Sequence, residues 1–253
     1  VRLTTAIVLA RYLAGGRRGF VSFRRIVGAG GIVLVPMILV ALQPDLGSAV
    51  MYAPLLLGML LVAGVRWQLI VAGLLIVVLM AGLAWGFLLL DYQRERVVSF
   101  LSPGSDPLGA GYQLRQSKIA VGSGELTGRG YMQGTQSQLR FLPARHTDFI
   151  FAALAEEWGF LGVTTVLFLF GLYVYSGAQV ARRSRDRVGI LLVVGLLSVF
   201  AVYVTYNTAM VVGMLPITGI PLPFLSYGGS FMLSNFIATG LILGVDYRRF
   251  VNR

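Results

Sequence analysis

Apolar residues run almost without interruption over six stretches of the chain, from about Ile26 to Leu42, Gly47 to Val65, Leu69 to Leu90, Phe149 to Ala178, Val188 to Gly213 and Phe231 to Val245. Each is long enough to cross the hydrocarbon of a bilayer as a helix, the form in which a segment satisfies its own backbone polar groups there. The opening segment, VRLTTAIVLARYLA, is also apolar, but it is short for the roughly 20 residues a span needs. It lacks the basic start and small-residue cleavage site of a signal peptide and reads as the clipped end of a helix with upstream sequence missing. Counting it, the pattern predicts an all-α polytopic membrane protein with about seven transmembrane helices, folded as one domain over residues 1–253.

The polar connection at residues 91–147 stands apart, because a structureless link of that length is rare unless it has a task. Its eight glycines are interleaved with Tyr112, Ile119, Val121, Tyr131, Leu139 and Phe141, so it is not low complexity. Within it, GYQLRQSKIAVG reads as a short amphipathic helix that sets Arg115 and Lys118 on one face at i, i+3 spacing. The segment is expected to be a folded, partly helical cap.

Composition agrees: 57% of the 253 residues are hydrophobic and only 12% charged, more apolar than a water-soluble domain of this length can bury. The net charge of +11 would suit nucleic acid, but its distribution excludes that partner. The excess is arginine in alternate short connections: Arg11, Arg17, Arg18, Arg24 and Arg25, then Arg66, then Arg182, Arg183, Arg185 and Arg187, then Arg248, Arg249 and Arg253. The positive-inside rule makes that side, with the C-terminus, cytoplasmic. QPDLG at 43–47, the cap and the stretch GMLPITGIPLPFLSYGGS then face outward. The cap and the turns after it are balanced, seven basic residues against seven acidic through Glu157. No cysteine is present, which removes disulfide and thiolate chemistry.

Polar groups at or just inside a bilayer are costly, so those on the outward side are the candidates for function. Asp148 follows Arg145, His146 and Thr147; Thr147 or Asp148 fits the cap of the next helix, and Asp148, held between an apolar helix and the outer cap, also fits a general base, two roles that are compatible. A helix N-terminus and nearby cations favour the ionised carboxylate, whereas burial favours the neutral acid, and the order of residues does not decide between them. Arg115, Lys118, Arg129 and Arg140 form either a solvated face or a cradle for phosphate, with Lys118, beside Gln116 and Ser117, the foremost of them. Asp45 fits the cap of a helix starting near Gly47 as well as a binding group. PLPFLSYGGS, with Ser226, excludes a regular helix and is expected to line a cavity, the setting in which irregular backbone is tolerated at membrane depth. Glu156 and Glu157 lie over two helical turns past Asp148 and suit the interface, with Glu156 also a candidate for binding substrate. GSGELTGRG follows no strand, so a dinucleotide or P-loop reading fails. No transition-metal signature is present; a hard divalent ion, Mg or Mn, held partly by substrate phosphates needs only one or two carboxylates.

Three blocks, QPDLGSA, GYQLRQSKIAVGSGELTGRGYMQGTQSQLRFLPARHTDFIFAALAEEWGFLG and LPITGIPLPFLSYGGSFMLSNFIATGLI, together resemble the SEDS family (shape, elongation, division and sporulation). GTQSQLRFLPARHTDFIF is closer to RodA, the elongation branch, than to the division branch, FtsW. Ala144 departs from the pattern, which usually has Glu there. The resemblance implies ten helices, the first three and part of the fourth being absent here. It implies a peptidoglycan glycosyltransferase of the bacterial cytoplasmic membrane, polymerising lipid II into a growing glycan strand outside the cell, with a class B penicillin-binding protein as partner and Asp148 as the essential aspartate. A flippase for the lipid-linked precursor is the competing expectation, suited by intramembrane charge and broken backbone.

Overall fold

The computed structural model describes residues 1–16, 21–43, 45–87, 98, 100, 109–139, 141, 142 and 146–251. Arg17, Arg18, Pro44, Arg140, Ala144, Arg145 and Arg253 lie outside the described residues, as does most of 91–108. The described residues include ten helices: α1 (Arg2–Ala14), α2 (Phe23–Ala41), α3 (Leu46–Val50), α4 (Tyr52–Ala63), α5 (Trp67–Phe87), α6 (Ala110–Ser123), α7 (Thr135–Gln138), α8 (Ile150–Arg183), α9 (Arg187–Val211) and α10 (Gly229–Val251). Four of them, α2, α8, α9 and α10, are long and apolar enough to cross a membrane, and Gly47–Ala63 is a shorter apolar helical run. The protein is an all-helical membrane protein.

The chain divides into two compact units. The first comprises Val1–Ala81, Tyr173–Val202 and Leu233–Arg253. Its core is built from Leu9, Leu13, Tyr52, Leu55, Met59, Leu191 and Val193, all essentially excluded from solvent. Small residues set how closely its helices approach: a Cβ at Gly58 would overlap Ser198, and one at Gly195 would overlap Met59. Arg187 donates to the carbonyls of Gly16 (3.0 Å) and Ala63 (3.4 Å), tying the start of α9 to the ends of α1 and α4. The outward residues of α2, among them Val27, Val35 and Leu39, are exposed, as suits a face bathed in lipid, where apolar exposure costs nothing.

The second unit comprises Gly82–Leu172 and Tyr203–Met232. It holds α6, which has the amphipathic form read from the sequence. Leu114, Ser117 and Ala120 are buried at three-residue steps, while Arg115, Lys118 and Ile119 face outward.

The stretch from Phe149 to Ala178 differs from the single span expected. At Gly159 the backbone leaves the helical region (φ 63, ψ −162) and α8 breaks. The cap segment fills the break with main-chain hydrogen bonds. Arg129 and Gly130 donate to the carbonyls of Glu156 (3.0 Å) and Glu157 (3.1 Å), and Phe160 and Leu161 donate to those of Glu125 (2.9 Å) and Leu126 (3.1 Å). Helical hydrogen bonds lost at a break must be replaced where water is scarce, and here the glycine-rich loop replaces them. A Cβ on Gly159 would overlap the backbone of Gly128 and one on Gly128 the backbone of Glu157, so the glycines are required by contact as well as by conformation.

Candidate functional site

The second unit gathers the first turn before α8, the C-terminal end of α9 and the irregular turn after it. Residues 146–149 form a turn, and α8 begins at Ile150. The position directly before the helix is therefore Phe149, and Asp148 stands one residue further out than the cap expected of it or Thr147.

Three successive carbonyls of this turn are held by groups from elsewhere. Tyr227 N–H donates to His146 O (2.8 Å), Ser226 Oγ to Thr147 O (2.5 Å), and Asn207 Nδ2 to Asp148 O (2.9 Å). Asn207 Nδ2 also donates to Ile220 O at 2.7 Å, and Leu222 N–H donates to Ser226 Oγ at 2.7 Å. Asn207 and Ser226 are buried. A buried amide has two N–H donors, and here both are spent on main-chain oxygens of two different loops. The peptide backbone of the 146–148 turn is fixed on both flanks, while the Asp148 side chain is half-buried, its Oδ2 3.6 Å from where a Cβ of Gly219 would stand. Gly219 is exposed and has φ 72, so the carboxylate lies beside a bare stretch of backbone.

The end of α9 carries the second cluster. Gly213, at φ 81, donates to Met210 O (3.0 Å) and Met214 to Ala209 O (2.8 Å), the paired bonds of a glycine-terminated helix. Buried Ser117 donates through Oγ to Val211 O at 2.8 Å, which pins α6 to this helix end. Exposed Lys118 follows, and its side chain passes so close to Gly213 that a Cβ there would overlap Lys118 Cε. An ammonium at a helix C-terminus complements the partial negative charge of the last carbonyls. Asn207 and Val211 are separated along α9 by roughly 6 Å of helix rise, so the lysine and the aspartate are supported by neighbouring turns of one helix.

Beside the turn lies an open groove of about 530 Å³ lined by His146, Ile150, Leu225, Ser226, Tyr227, Gly228, Gly229 and Met232. Its walls are apolar except for His146, Ser226 and the hydroxyl of Tyr227. Phe224, at φ 62, holds a left-handed conformation that a bulky residue adopts at a cost.

The family model described as a cell cycle protein, FtsW/RodA/SpoVE, matches residues 1–250. The chain belongs to the FtsW/RodA/SpoVE family. It is 45% identical over 218 residues to the peptidoglycan glycosyltransferase MrdB of Escherichia coli K12, covering 86% of this chain and 59% of MrdB. It is 39% identical to the stage V sporulation protein E of Bacillus subtilis (99% of this chain, 68% of the relative) and 33% to the peptidoglycan glycosyltransferase RodA of Treponema pallidum (98% and 73%). Among solved structures, a peptidoglycan synthase complex that coordinates polymerization and crosslinking superposes with TM-score 0.83 at 30% identity, covering 98% of this chain and 69% of that one. RodA of Thermus thermophilus superposes with TM-score 0.66 at 26% identity, covering 98% and 64%. The chain thus spans 59% of the length of MrdB.

Within this FtsW/RodA/SpoVE-family chain the expected site residues separate into groups. Asp148, His146, Thr147, Lys118 and Ser226 occur together in the second unit, with Arg115 exposed and Gln116 half-buried on α6. Ser117 and Ser226 are buried, with their hydroxyls spent on backbone partners, which makes them supports of the site. Glu156 is fully buried, and its carboxylate accepts from Gln136 N–H (2.8 Å) and Thr135 Oγ1 (3.5 Å) at the start of α7, so it organises the cap from within. Arg129 donates to Ser123 O (3.2 Å) and Thr135 Oγ1 (3.4 Å) and closes the same loop. Asp45 belongs to the first unit and caps α3, accepting from Ser48 N–H at 3.0 Å. Arg145 lies outside the described residues. Asn207 is the one side-chain amide in the apolar run Val188–Gly213 and carries no motif around it. An amide inside a membrane span is itself a signal, because it must find partners there.

Proposed function

We propose that this chain carries the catalytic face of an elongation-type peptidoglycan glycosyltransferase, which polymerises lipid II at the outer surface of the cytoplasmic membrane. The observation that carries the reading is the lock on the 146–148 backbone. Asn207, Ser226 and Tyr227 fix it while the Asp148 side chain extends along Gly219. The fit of MrdB at 45% identity supports the reaction class. Asp148 takes the proton from the 4-hydroxyl of the acceptor N-acetylglucosamine as that oxygen attacks the anomeric carbon of the donor N-acetylmuramic acid. The bond that breaks is the one from that carbon to the pyrophosphate, and undecaprenyl pyrophosphate leaves with the electron pair. An anion that stable needs no proton, which is why one carboxylate suffices where hydrolases of glycosides use two. Lys118 and Arg115 offset the charge that builds on the leaving group.

Among the described residues no three His, Asp or Glu side chains gather. A Mg or Mn ion would be shared between the pyrophosphate and one or two carboxylates. In this reading the chain folds as one transmembrane domain with 91–147 as its cap. Seven helices enter the bilayer: the four long ones, α1, the Gly47–Ala63 run and α5. The arginine-rich connections and the C-terminus are cytoplasmic. A class B penicillin-binding protein crosslinks the product, a pairing supported by the synthase complex whose fold this chain shares.

The test is Asp148→Asn in the complete protein with its penicillin-binding partner, supplied with lipid II. Glycan polymer should fall by about 10²-fold or more; polymer at the wild-type rate would refute the assignment of the base.

A further inference from the structure

At the basic end of the first unit, Ile7, the turn Ser184–Asp186, Val188, Gly189, Leu192 and the α10 residues from Gly240 to Arg248 enclose a cavity of about 400 Å³. Its lining is mixed: exposed Arg185 and Arg248 form the mouth with Ser184 and Asp186, and Leu192, Leu241, Val245 and Ile7 supply apolar wall. We propose that this cavity binds an anionic membrane phospholipid, its phosphate between Arg185 and Arg248 and an acyl chain along α10.

The two arginines are available for such a ligand. Arg187, by contrast, is consumed by the carbonyls of Gly16 and Ala63, and Arg25 donates to Gly15 O at 2.8 Å. Arg185 and Arg248 are exposed and have no hydrogen-bond or ion-pair partner among the described residues. The acid at the mouth does not cancel them, because Asp186 accepts from Val188 N–H (3.1 Å) and Gly189 N–H (3.3 Å), capping α9 with its carboxylate. Exposed Arg182 and Arg183 close the preceding helix and add to the local positive field. Basic pockets between membrane helices at a bilayer surface are suited to anionic headgroups.

The apolar part has the shape for a chain. Gly240, Gly244 and Arg248 recur at four-residue steps, so they share one face of α10. A Cβ at Gly240 or Gly244 would meet no atom within 4 Å, which leaves an open, exposed trough on the face of α10 that carries Arg248. On the other side the helices close up, since a Cβ at Gly189 would press on Val245 Cγ1 at 2.8 Å. A phosphate alone would satisfy the mouth and leave the trough unused; a phospholipid uses both.

The experiment measures lipid retained by the full chain in detergent, by native mass spectrometry, after equilibration with equal amounts of phosphatidylglycerol and phosphatidylcholine. The wild type should retain phosphatidylglycerol at least fivefold over phosphatidylcholine. Arg185→Ala/Arg248→Ala should remove that preference. Gly244→Leu, which fills open space and should leave the fold intact, should lower total lipid retention at this site without the loss of an arginine. Equal retention of the two lipids by the wild type, an undiminished preference in the double arginine variant, or complete displacement of phosphatidylglycerol by inorganic phosphate would each overturn the proposal.

Discussion

The side-chain amide of Asn207 donates to the main-chain oxygen of Asp148 at 2.9 Å, so the aspartate is registered by α9 and not by the helix it introduces. The same nitrogen reaches Ile220 O at 2.7 Å, which makes one buried amide the common anchor of two loops. In Asn207→Leu both carbonyls lose their donor in a site closed to water, a cost of about 2–4 kcal/mol. The melting temperature in detergent should fall by several degrees and glycan synthesis from lipid II with it. Asn207→Asp, similar in shape, should do no better, because an ionised carboxylate sets a third acceptor against two acceptors.

Gly219 offers a finer probe of the same carboxylate. It has φ 72, and its absent Cβ would sit 3.6 Å from Asp148 Oδ2. Gly219→Ala should cost about 1–2 kcal/mol in backbone strain and set a methyl group in van der Waals contact with the Asp148 carboxylate. The expected kinetic signature is a lower kcat with little change in the KM for lipid II, since the methyl group meets the proposed base and not the lipid tail.

The legibility of the chain follows from what periodicity can carry. The apolar runs of α2, α9 and α10 and the three-residue rhythm of Leu114, Ser117 and Ala120 are local, and each of these helices stands where its run or rhythm lies. What was not legible depends on partners distant in the chain. The apolar run through Phe149–Ala178 hides a break at Gly159, because the replacement hydrogen bonds come from Glu125 to Gly130. Ser117, beside Lys118, and Glu156 and Ser226 read as ligand groups from the sequence; their bonds to Val211, the start of α7 and Thr147 join residues distant in the chain and could not be read from it. Asn207 was overlooked for another reason, a single amide averaged away inside a long apolar window.

The break in α8 makes a prediction that separates two glycines of one helix. Gly159→Ala would drive a methyl group into the backbone of Gly128 and Gly124 from a conformation that side chains rarely take, at a cost of at least about 2–4 kcal/mol. Gly171→Ala, further along α8 with nothing within 4 Å of the new Cβ, should be neutral or should gain up to about 1 kcal/mol from helix propensity. Thermal unfolding of the two variants side by side checks this; similar melting temperatures would mean that the cap does not hold the broken helix.

Lys118 and Gly213 are coupled by contact, and the coupling gives the most discriminating test of the proposed charge compensation. Lys118→Ala removes an exposed ammonium but leaves the hydrogen bonds that end α9 intact. Polymerisation should therefore drop by about 10²-fold while the melting temperature stays within a degree or so of wild type. Gly213→Ala strains a residue at φ 81 and displaces the lysine stem, so it should lower stability by about 1–2 kcal/mol and lower the rate as well. If its effect on rate passes through the ammonium, the double variant should be no slower than Lys118→Ala alone, because neighbouring residues that act through one contact are not additive. Multiplication of the two rate losses would instead mean that the end of α9 acts on the reaction by a route that does not involve Lys118.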